Sequence, residues 1–505
     1  MASSSSAAHP AQAASLPARP AGARGVVGWT ILLVLSLAAF ANAAGYILYA
    51  GNPLLSSDAW YFVDAFLRKA MEDGASIQDY YVKRSADDHA QPLLKLLLLA
   101  NAEWFGLDFV LEALAGLLFA LLTYVVLARA ALANGPDGRI GWRQGFGLGV
   151  VAACLVTLNA GMVFNWSLVT LGYLSYLLAA LAGFAAWRVL AKNGGARQLV
   201  ASAVAVAFLL DGTGVLVSIA ILLATGGYAL RHPGSRRNAA IVVLAFVLAQ
   251  ACYQFLGRLV LFPGVDVSSA GMEAGGRLQV LWGMRAQLGE AMVTVFGSTM
   301  AHLFTLKHYA GEQARAWQTG LALVAMALHA WFWLSAWRKP WNAAGFLAVV
   351  LMLLMYGAVA GIVLARVPVN GVDYLHEPRY VVFYLLSNVA LAMMYLARLG
   401  TGHAPAFRLQ SPIVLMVLLA LLQLPLSAFT WRDGRHLHAY YHAMARQTYA
   451  LGNGVVPTHC IALVSACHLP EQERAQTMDF LREHRLNVYS PAFVQRYRLD
   501  ALAAE

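Results

Sequence analysis

Charge is the first thing this sequence lacks: of 505 residues only 12% are Asp, Glu, Lys or Arg, against 60% hydrophobic. That leaves too little polar surface to cover a water-soluble globule of this size, and a soluble enzyme is excluded. Cysteine is scarce too. Four cysteines without a C-x-x-C pair exclude a zinc ribbon, a dithiol redox motif and a disulfide-dense scaffold. No P-loop, GxSxG, HExxH or Rossmann fingerprint stands in a fitting context. Acidic residues are the rarer sign, and the formal net charge is +10. In a soluble protein that excess would suggest nucleic acid, but cytoplasmic loops of membrane proteins commonly carry it, so no nucleic-acid partner is expected.

What the chain has in abundance is long apolar runs. Residues 1–25 are rich in Ala, Ser and Pro and read as a disordered cytoplasmic tail. The run that follows is too long for a signal-peptide core and is taken as an uncleaved first span. Further runs near the roughly 20 residues that cross a bilayer lie at about 109–129, 146–165, 168–187, 238–261, 317–337, 343–365, 380–397 and 411–429. The stretch from Gln198 to Leu230 is interrupted by Asp211-Gly-Thr-Gly214 and reads as two short spans joined by a tight turn. The expectation is an all-α polytopic membrane protein with about eleven transmembrane helices. A segment at about 287–305 is ambiguous because it carries Glu290 and His302. If it does not cross, the clusters around Arg139, Arg188, Arg231, Arg338 and Arg398 share one side with the N-terminus, and that side is the cytoplasm. The loops at about 50–108, 262–316 and 366–379 and the segment from Trp431 onward then share the outer face.

The first outer loop, 50–108, has its own pattern. Trp60, Val63, Leu67 and Met71 recur at helical spacing, while Asp64, Arg68 and Glu72 stand four apart on the other side, which predicts an amphipathic helix in the membrane interface. Ser76 with Asp79 resembles a capping box for a second short helix, and Pro92 suits the first turn of a third, running to about Phe105. Between these helices lie Asp58 and the cluster K-R-S-A-D-D-H-A-Q-P, with Lys83, Arg84, Asp87, Asp88 and His89. Carboxylates near the outer surface can act as a general base, and an adjacent pair with a histidine can bind a divalent cation or hold a sugar hydroxyl. They read equally as solvated loop charges or helix caps.

A second candidate is N-G-V-D-Y-L-H-E-P-R-Y, residues 370–380, with His376, Glu377 and Arg379 at the outer mouth of a span. An arginine there suits a bidentate contact with a lipid phosphate, or snorkels to the interface; the scarcity of basic residues on that side favours function. Glu112, Asp211 and Glu290 fall near outer helix ends, where a wet cavity explains them as well as a proton relay does. The C-terminal part, 431–505, reads as a small outer α/β appendage of strand, helix and strand. Its His436, His438 and His442 are poorly spaced for zinc, and Cys460 and Cys467 can form a disulfide.

This layout resembles the GT-C superfamily of polytopic glycosyltransferases: a cytoplasmic N-terminus, a long first outer loop with interfacial helices, an aspartate soon after the first span (Asp58), a second acidic site (Asp87 and Asp88) and a small outer C-terminal part. The resemblance covers about residues 26–440 as architecture. It implies transfer of a sugar from a polyprenyl-phosphate carrier to an envelope glycan, lipid or protein acceptor at the periplasmic face of the bacterial inner membrane. Asp58 and Asp88 would be the catalytic carboxylates. Asp87, His89, Lys83, Arg84, His376, Glu377 and Arg379 would bind substrate. No D-x-D or E-x-D element is present, so a divalent cofactor stays open. The alternatives are a transporter or flippase of a lipid-linked sugar, against which no internal repeat stands out, and a non-catalytic subunit of an envelope assembly.

Overall fold

The computed structural model describes residues 21–57, 59–83, 89–133, 140–159, 161–166, 169–192, 194–262, 274–339, 341–399, 410–455 and 457–500. Asp58, Arg84, Asp87 and Asp88 lie outside them, as do residues 1–20 of the expected tail.

The described chain is helical from end to end. The first span, α1 (Ala21–Ala50), leads to a short α2 (Ala59–Phe62), which continues through π-helical turns at Val63–Arg68 into α3 (Lys69–Glu72), and then α4 (Pro92–Phe105). The bundle follows with α5 (Val110–Leu132), α6 (Trp142–Leu155), α7 (Val169–Leu190), α8 (Ala196–Leu210), α9 (Gly212–Arg231) and α10 (Arg236–Leu256). The second half holds α11 (Ala274–Gly283), α12 (Leu288–Met300), α13 (Leu303–Ala310), α14 (Ala314–Arg338), α15 (Ala343–Asn370), α16 (Val381–Tyr384), α17 (Leu386–Leu399) and α18 (Gln410–Gly452), and the chain ends with α19 (Glu471–Glu483) and α20 (Pro491–Tyr497).

Nine stretches among the described residues are long and apolar enough to cross a membrane. The two remaining expected spans are the shorter α6 and α8. At about 1.5 Å per residue the 14-residue α6 covers about 21 Å, short of the roughly 30 Å hydrocarbon core. The chain beyond it is irregular, so it must line protein or a wet cavity. The segment expected not to span becomes α12, whose 13 residues are likewise too short to cross.

Sequence explains the close contacts. Gly28 of α1 and Gly145 of α6 approach backbone to backbone, leaving no room for a Cβ on either. The α8/α9 break falls at Asp211, which sits at φ +48°, and Gly214 lies against the Val206 carbonyl.

The described residues form two main cores and a small third one around Leu303, Leu306 and Leu426. The large one fills the bundle, while the second joins Leu54, Trp60, Phe66 and Leu98 of the first loop to Tyr441, Met444, Leu481 and Phe493. The apolar face of α2 and of the π-helical turns that follow it is therefore buried in protein, with Ala70 and Met71 of α3 half-buried at its edge. It is α4 that presents bare apolar groups, with Trp104 76% exposed.

The C-terminal segment corrects two expectations. No strand occurs among the described residues, and α18 runs unbroken through position 430 to Gly452. The five-residue apolar run Cys460–Val464 finds other partners for its backbone: the Ile461 N–H donates to Gln447 Oε1 at 2.7 Å, and the Leu463 carbonyl accepts from the Ser57 N–H at 2.9 Å. Bonds spent on a helix and a loop are not available to a ladder. His436, His438 and His442 lie on α18, His438 against Tyr49 and His442 against Tyr497.

Cys460 and Cys467 are paired. They are expected to resist alkylation in unreduced membranes and to label after reductant; labelling without reductant would refute the pairing.

Candidate functional site

The two described ends of the acidic loop are gathered by a buried lysine, Lys95 in P-L-L-K-L-L-L-L. Pro92 starts α4 where a missing N–H costs nothing, and one turn later Lys95 points back under the loop. Its ammonium, fully buried, donates to the carbonyls of Tyr80 (3.0 Å), Val82 (2.6 Å) and Ala90 (2.6 Å). It also stands 5.6 Å from the Phe62 ring centroid. One cation thereby gathers both ends of the loop and the helix that follows Asp58.

Above it, Lys83 donates to Asp211 Oδ2 at 2.7 Å and lies 4.3 Å over the Phe262 ring. Asp211 also accepts from Tyr253 Oη (2.7 Å) and the Ala90 N–H (3.1 Å). Burial works against its charge, but Lys83 and these bonds outweigh that and hold the carboxyl below the usual carboxylate range. The His89 ring rests against Gly212. Lys83 and His89, the two described ends of the acidic cluster, thus meet at the α8/α9 break.

The approach to Asp58 is clamped by the C-terminal part. Asn487, at φ +49°, accepts from the Leu55 N–H (3.2 Å) and donates from Nδ2 to the carbonyls of Pro53 (3.3 Å) and Leu107 (2.8 Å). Asn52 Nδ2 donates to Ser56 Oγ at 2.9 Å, and the Asn52 N–H donates to Asn165 Oδ1 at 3.1 Å. Asn165 ends a 3₁₀ turn, Gly161–Asn165, and the turn Pro378–Tyr380 packs against it.

Arg379 therefore lies on the face that holds the Asn52–Ser57 segment. Its guanidinium carbon is 5.6 Å and 5.5 Å from the ring centroids of Tyr374 and Tyr380, its Nη2 donates to the Tyr374 hydroxyl, and its buried Nε has no partner. Glu377 caps the same turn, its carbonyl accepting from the Tyr380 N–H at 3.0 Å.

Deeper in, a polar network ties this loop to the bundle. Asn159 Oδ1 accepts from the His302 N–H (2.7 Å), Asn159 Nδ2 donates to the Ser298 carbonyl (2.9 Å), and Asn388 donates to the Thr299 carbonyl (2.6 Å). His302 Nε2 donates to the His376 carbonyl at 2.8 Å, while its Nδ1 accepts from Phe304 N–H at 3.3 Å as the cap of α13. This is a neutral imidazole with one assigned tautomer, and burial pushes its pKa down to about 4. His376, 3.2 Å from Thr294 Oγ1, is lowered by burial and then by Arg315.

Other sequence candidates are engaged elsewhere. Glu112 accepts from Thr170 at 3.1 Å, and Glu290 pairs with Arg315 at 3.0 Å. Among the described residues no group of three His, Cys, Asp or Glu could hold a metal ion, and Asp58, Asp87 and Asp88 fall outside that set. Lys83 and His89 form one cluster, and Arg379 with His376 another. Sequence reasoning missed Lys95, Tyr253, Asn159, Asn165 and Asn487. For Lys95 a signal existed, a single charge in a leucine run; the asparagines have no periodic signature.

Fold and site together define a polytopic, all-helical membrane protein with polar, irregular backbone gathered at one end of the bundle. No protein-family model matches the chain, and no curated protein matches it. The crystal structure of ArnT from Cupriavidus metallidurans bound to undecaprenyl phosphate is similar at 14% identity and a TM-score of 0.41, over 96% of this chain and 79% of that one. No residue role is taken from that likeness.

Two predictions follow from this geometry. Lys95→Met should destabilise the protein by about 3 kcal/mol or more, since each orphaned buried carbonyl costs about 1–3 kcal/mol; an unchanged denaturation midpoint would remove the staple. Acidification is the second test. Because the folded His302 binds its proton only near pH 4 and an unfolded histidine near 6.5, its stabilisation is full above pH 6.5 and lost as pH falls towards 4. Wild type should melt progressively lower from pH 7 to 5, and His302→Asn should flatten that slope. Parallel profiles would refute the assignment.

Proposed function

We propose that this chain is a membrane glycosyltransferase that moves a sugar from a polyprenyl-phosphate carrier to an envelope acceptor, lipopolysaccharide, another glycan or protein. The N-terminus is cytoplasmic, and the loop end and C-terminus face the periplasm of a bacterial inner membrane. The observation that carries the reading is the placement of Arg379. A guanidinium steadied by two tyrosine rings, with an unbonded Nε, stands at a helix mouth against the turn that fixes the segment leading into Asp58. That suits a reaction in which a lipid tail stays in the bilayer while its phosphate and sugar meet an acceptor activated from the adjacent loop. The Cys460–Cys467 pair supports an oxidising side for the C-terminal part.

In this scheme Asp58 takes the proton of the acceptor hydroxyl, and Asp87, Asp88 and His89 orient the acceptor or a divalent cation. Arg379 stabilises the carrier phosphate as it leaves, where charge develops. Lys83 and Arg84 complete the positive charge around the phosphate, with Lys83 balanced by Asp211. His376 and Glu377 line the same mouth. A flippase would instead need charged groups along a transbilayer path, and the described cluster residues gather at one end.

Transfer can be read in cells as loss of sugar from the polyprenyl-phosphate pool. Asp58→Asn keeps volume and removes basicity, so turnover should fall about 10²- to 10⁴-fold at normal insertion and yield. Arg379→Lys keeps charge but loses the fork that grips two phosphate oxygens, and its defect should fall largely on use of the carrier donor. A normally inserted Asp58→Asn protein with near-full transfer would overturn the mechanism. A lipid-linked sugar that changes leaflet uncleaved would favour the flippase.

A further inference from the structure

We propose that the junction of α1, α13 and α18 binds the anionic headgroup of a membrane phospholipid. The site is a cavity of about 340 Å³ lined by Tyr49, Ala428, Trp431, Arg432 and Arg435. None of these residues has a role in the transfer scheme, so the proposal stands apart from it.

The walls are built. Tyr49 stacks on Trp431 with ring centroids 5.4 Å apart, and the indole N–H donates to Asn42 Oδ1 at 2.9 Å, which fixes the ring. On the other side His308 lies 5.1 Å from the Phe429 ring and accepts from Arg432 Nη1, while Tyr309 Oη donates to the Pro425 carbonyl at 2.9 Å. These bonds hold α13 against α18.

The charge is one-sided. Arg432 and Arg435 stand one turn apart on the same face of α18, both exposed, with Lys307 and His308 exposed on α13. Neither arginine has a carboxylate within ion-pair distance among the described residues. The nearby acid, Asp433, is exposed beside them and acts electrostatically on Tyr46 and Tyr441, but forms no ion pair with either arginine among the described residues. Two uncompensated guanidiniums beside a rigid aromatic wall match the oxygens of a phosphate.

Position selects a lipid over a free anion. The preceding helix presents Val417, Leu418, Leu421 and Leu424 outward, 39% to 67% exposed, and the first exposed charges follow at Arg432. The cavity thus straddles the level where apolar chains give way to headgroups, its floor is Ala428, and an acyl chain can continue down α18. Basic pockets between transmembrane helices recognise anionic lipids in this way.

The test is native mass spectrometry and thermal shift on the full chain, in phosphatidylcholine nanodiscs titrated with phosphatidylglycerol. Wild type should retain one phosphatidylglycerol, and Arg432→Gln with Arg435→Gln should weaken retention about tenfold or more, the loss of charge-assisted bonds worth about 1.5–3 kcal/mol. Ala428→Trp keeps both charges and fills the floor, and should lose the lipid too. Retention unchanged in both variants would overturn the proposal. So would loss in the arginine variant alone, which would mark non-specific attraction of the headgroup layer. Binding of inorganic phosphate that displaces the lipid at millimolar concentration would assign the site to a soluble anion and equally refute it.

Discussion

Everything at the loop end of this protein depends on where one ammonium group goes. Lysine has three N–H donors and no acceptor, and a charge taken from water is tolerated only when every donor is used. Lys95 meets that demand with three main-chain carbonyls, two before the acidic cluster and one after it. Those carbonyls belong to residues ten positions apart, so satisfying one side chain closes a loop. The cost of leaving any of the four groups unpaired is what fixes the two described ends of the loop.

The same logic of obligatory partners explains why the C-terminal part belongs to the site. The segment Asn52–Ser57 is not regular structure, and its buried N–H and carbonyl groups need acceptors and donors from elsewhere. Asn487 and Leu463 supply them from more than 400 residues away in sequence. A second core of apolar residues buries that contact, so the first loop cannot fold against the bundle alone. Beneath it, the short α6 is followed by irregular backbone. Asn159, His302 and Asn388 satisfy carbonyls and N–H groups there that lipid could not.

Much of this was legible from periodicity and local chemistry. The α4 limits, Pro92 and Phe105, follow from a proline that starts a helix and an apolar run that ends at Gly106, and Asp211 marks the α8/α9 break because a polar residue with glycines interrupts an otherwise continuous run. Ser76 and Asp79 pair, the Ser76 N–H and Oγ donating to Asp79 Oδ2 at 2.7 and 2.6 Å, but the element that follows is a 3₁₀ turn with Gln78 at its N-cap and no side-chain cap bond, so the expected helix cap is not formed. Misreadings have a common cause. Short apolar runs such as Cys460–Val464 do not distinguish a strand from an irregular segment; the choice was made by Gln447 and Ser57, distant in sequence. Asn165 and Asn487 were invisible for the same reason, since a lone asparagine acquires meaning only from the backbone it meets.

The placement of the ionisable groups then separates holding from acting. Lys95 spends its N–H donors on three main-chain carbonyls and Asp211 accepts from Lys83, Tyr253 and the Ala90 N–H, so both serve as structural anchors. Arg379 differs in kind: its guanidinium rests against the Tyr374 and Tyr380 rings and spends one donor on the Tyr374 hydroxyl, while its Nε lacks an acceptor among the described residues. Several neutral buried donors, Trp60 Nε1 and Gln318 Nε2 among them, also lack an acceptor among the described residues, but a cationic donor at the rim is where an anionic group from the bilayer would bind with least rearrangement. That steadied cation at the mouth is thus the feature on which the proposed chemistry on a membrane-borne phosphate rests.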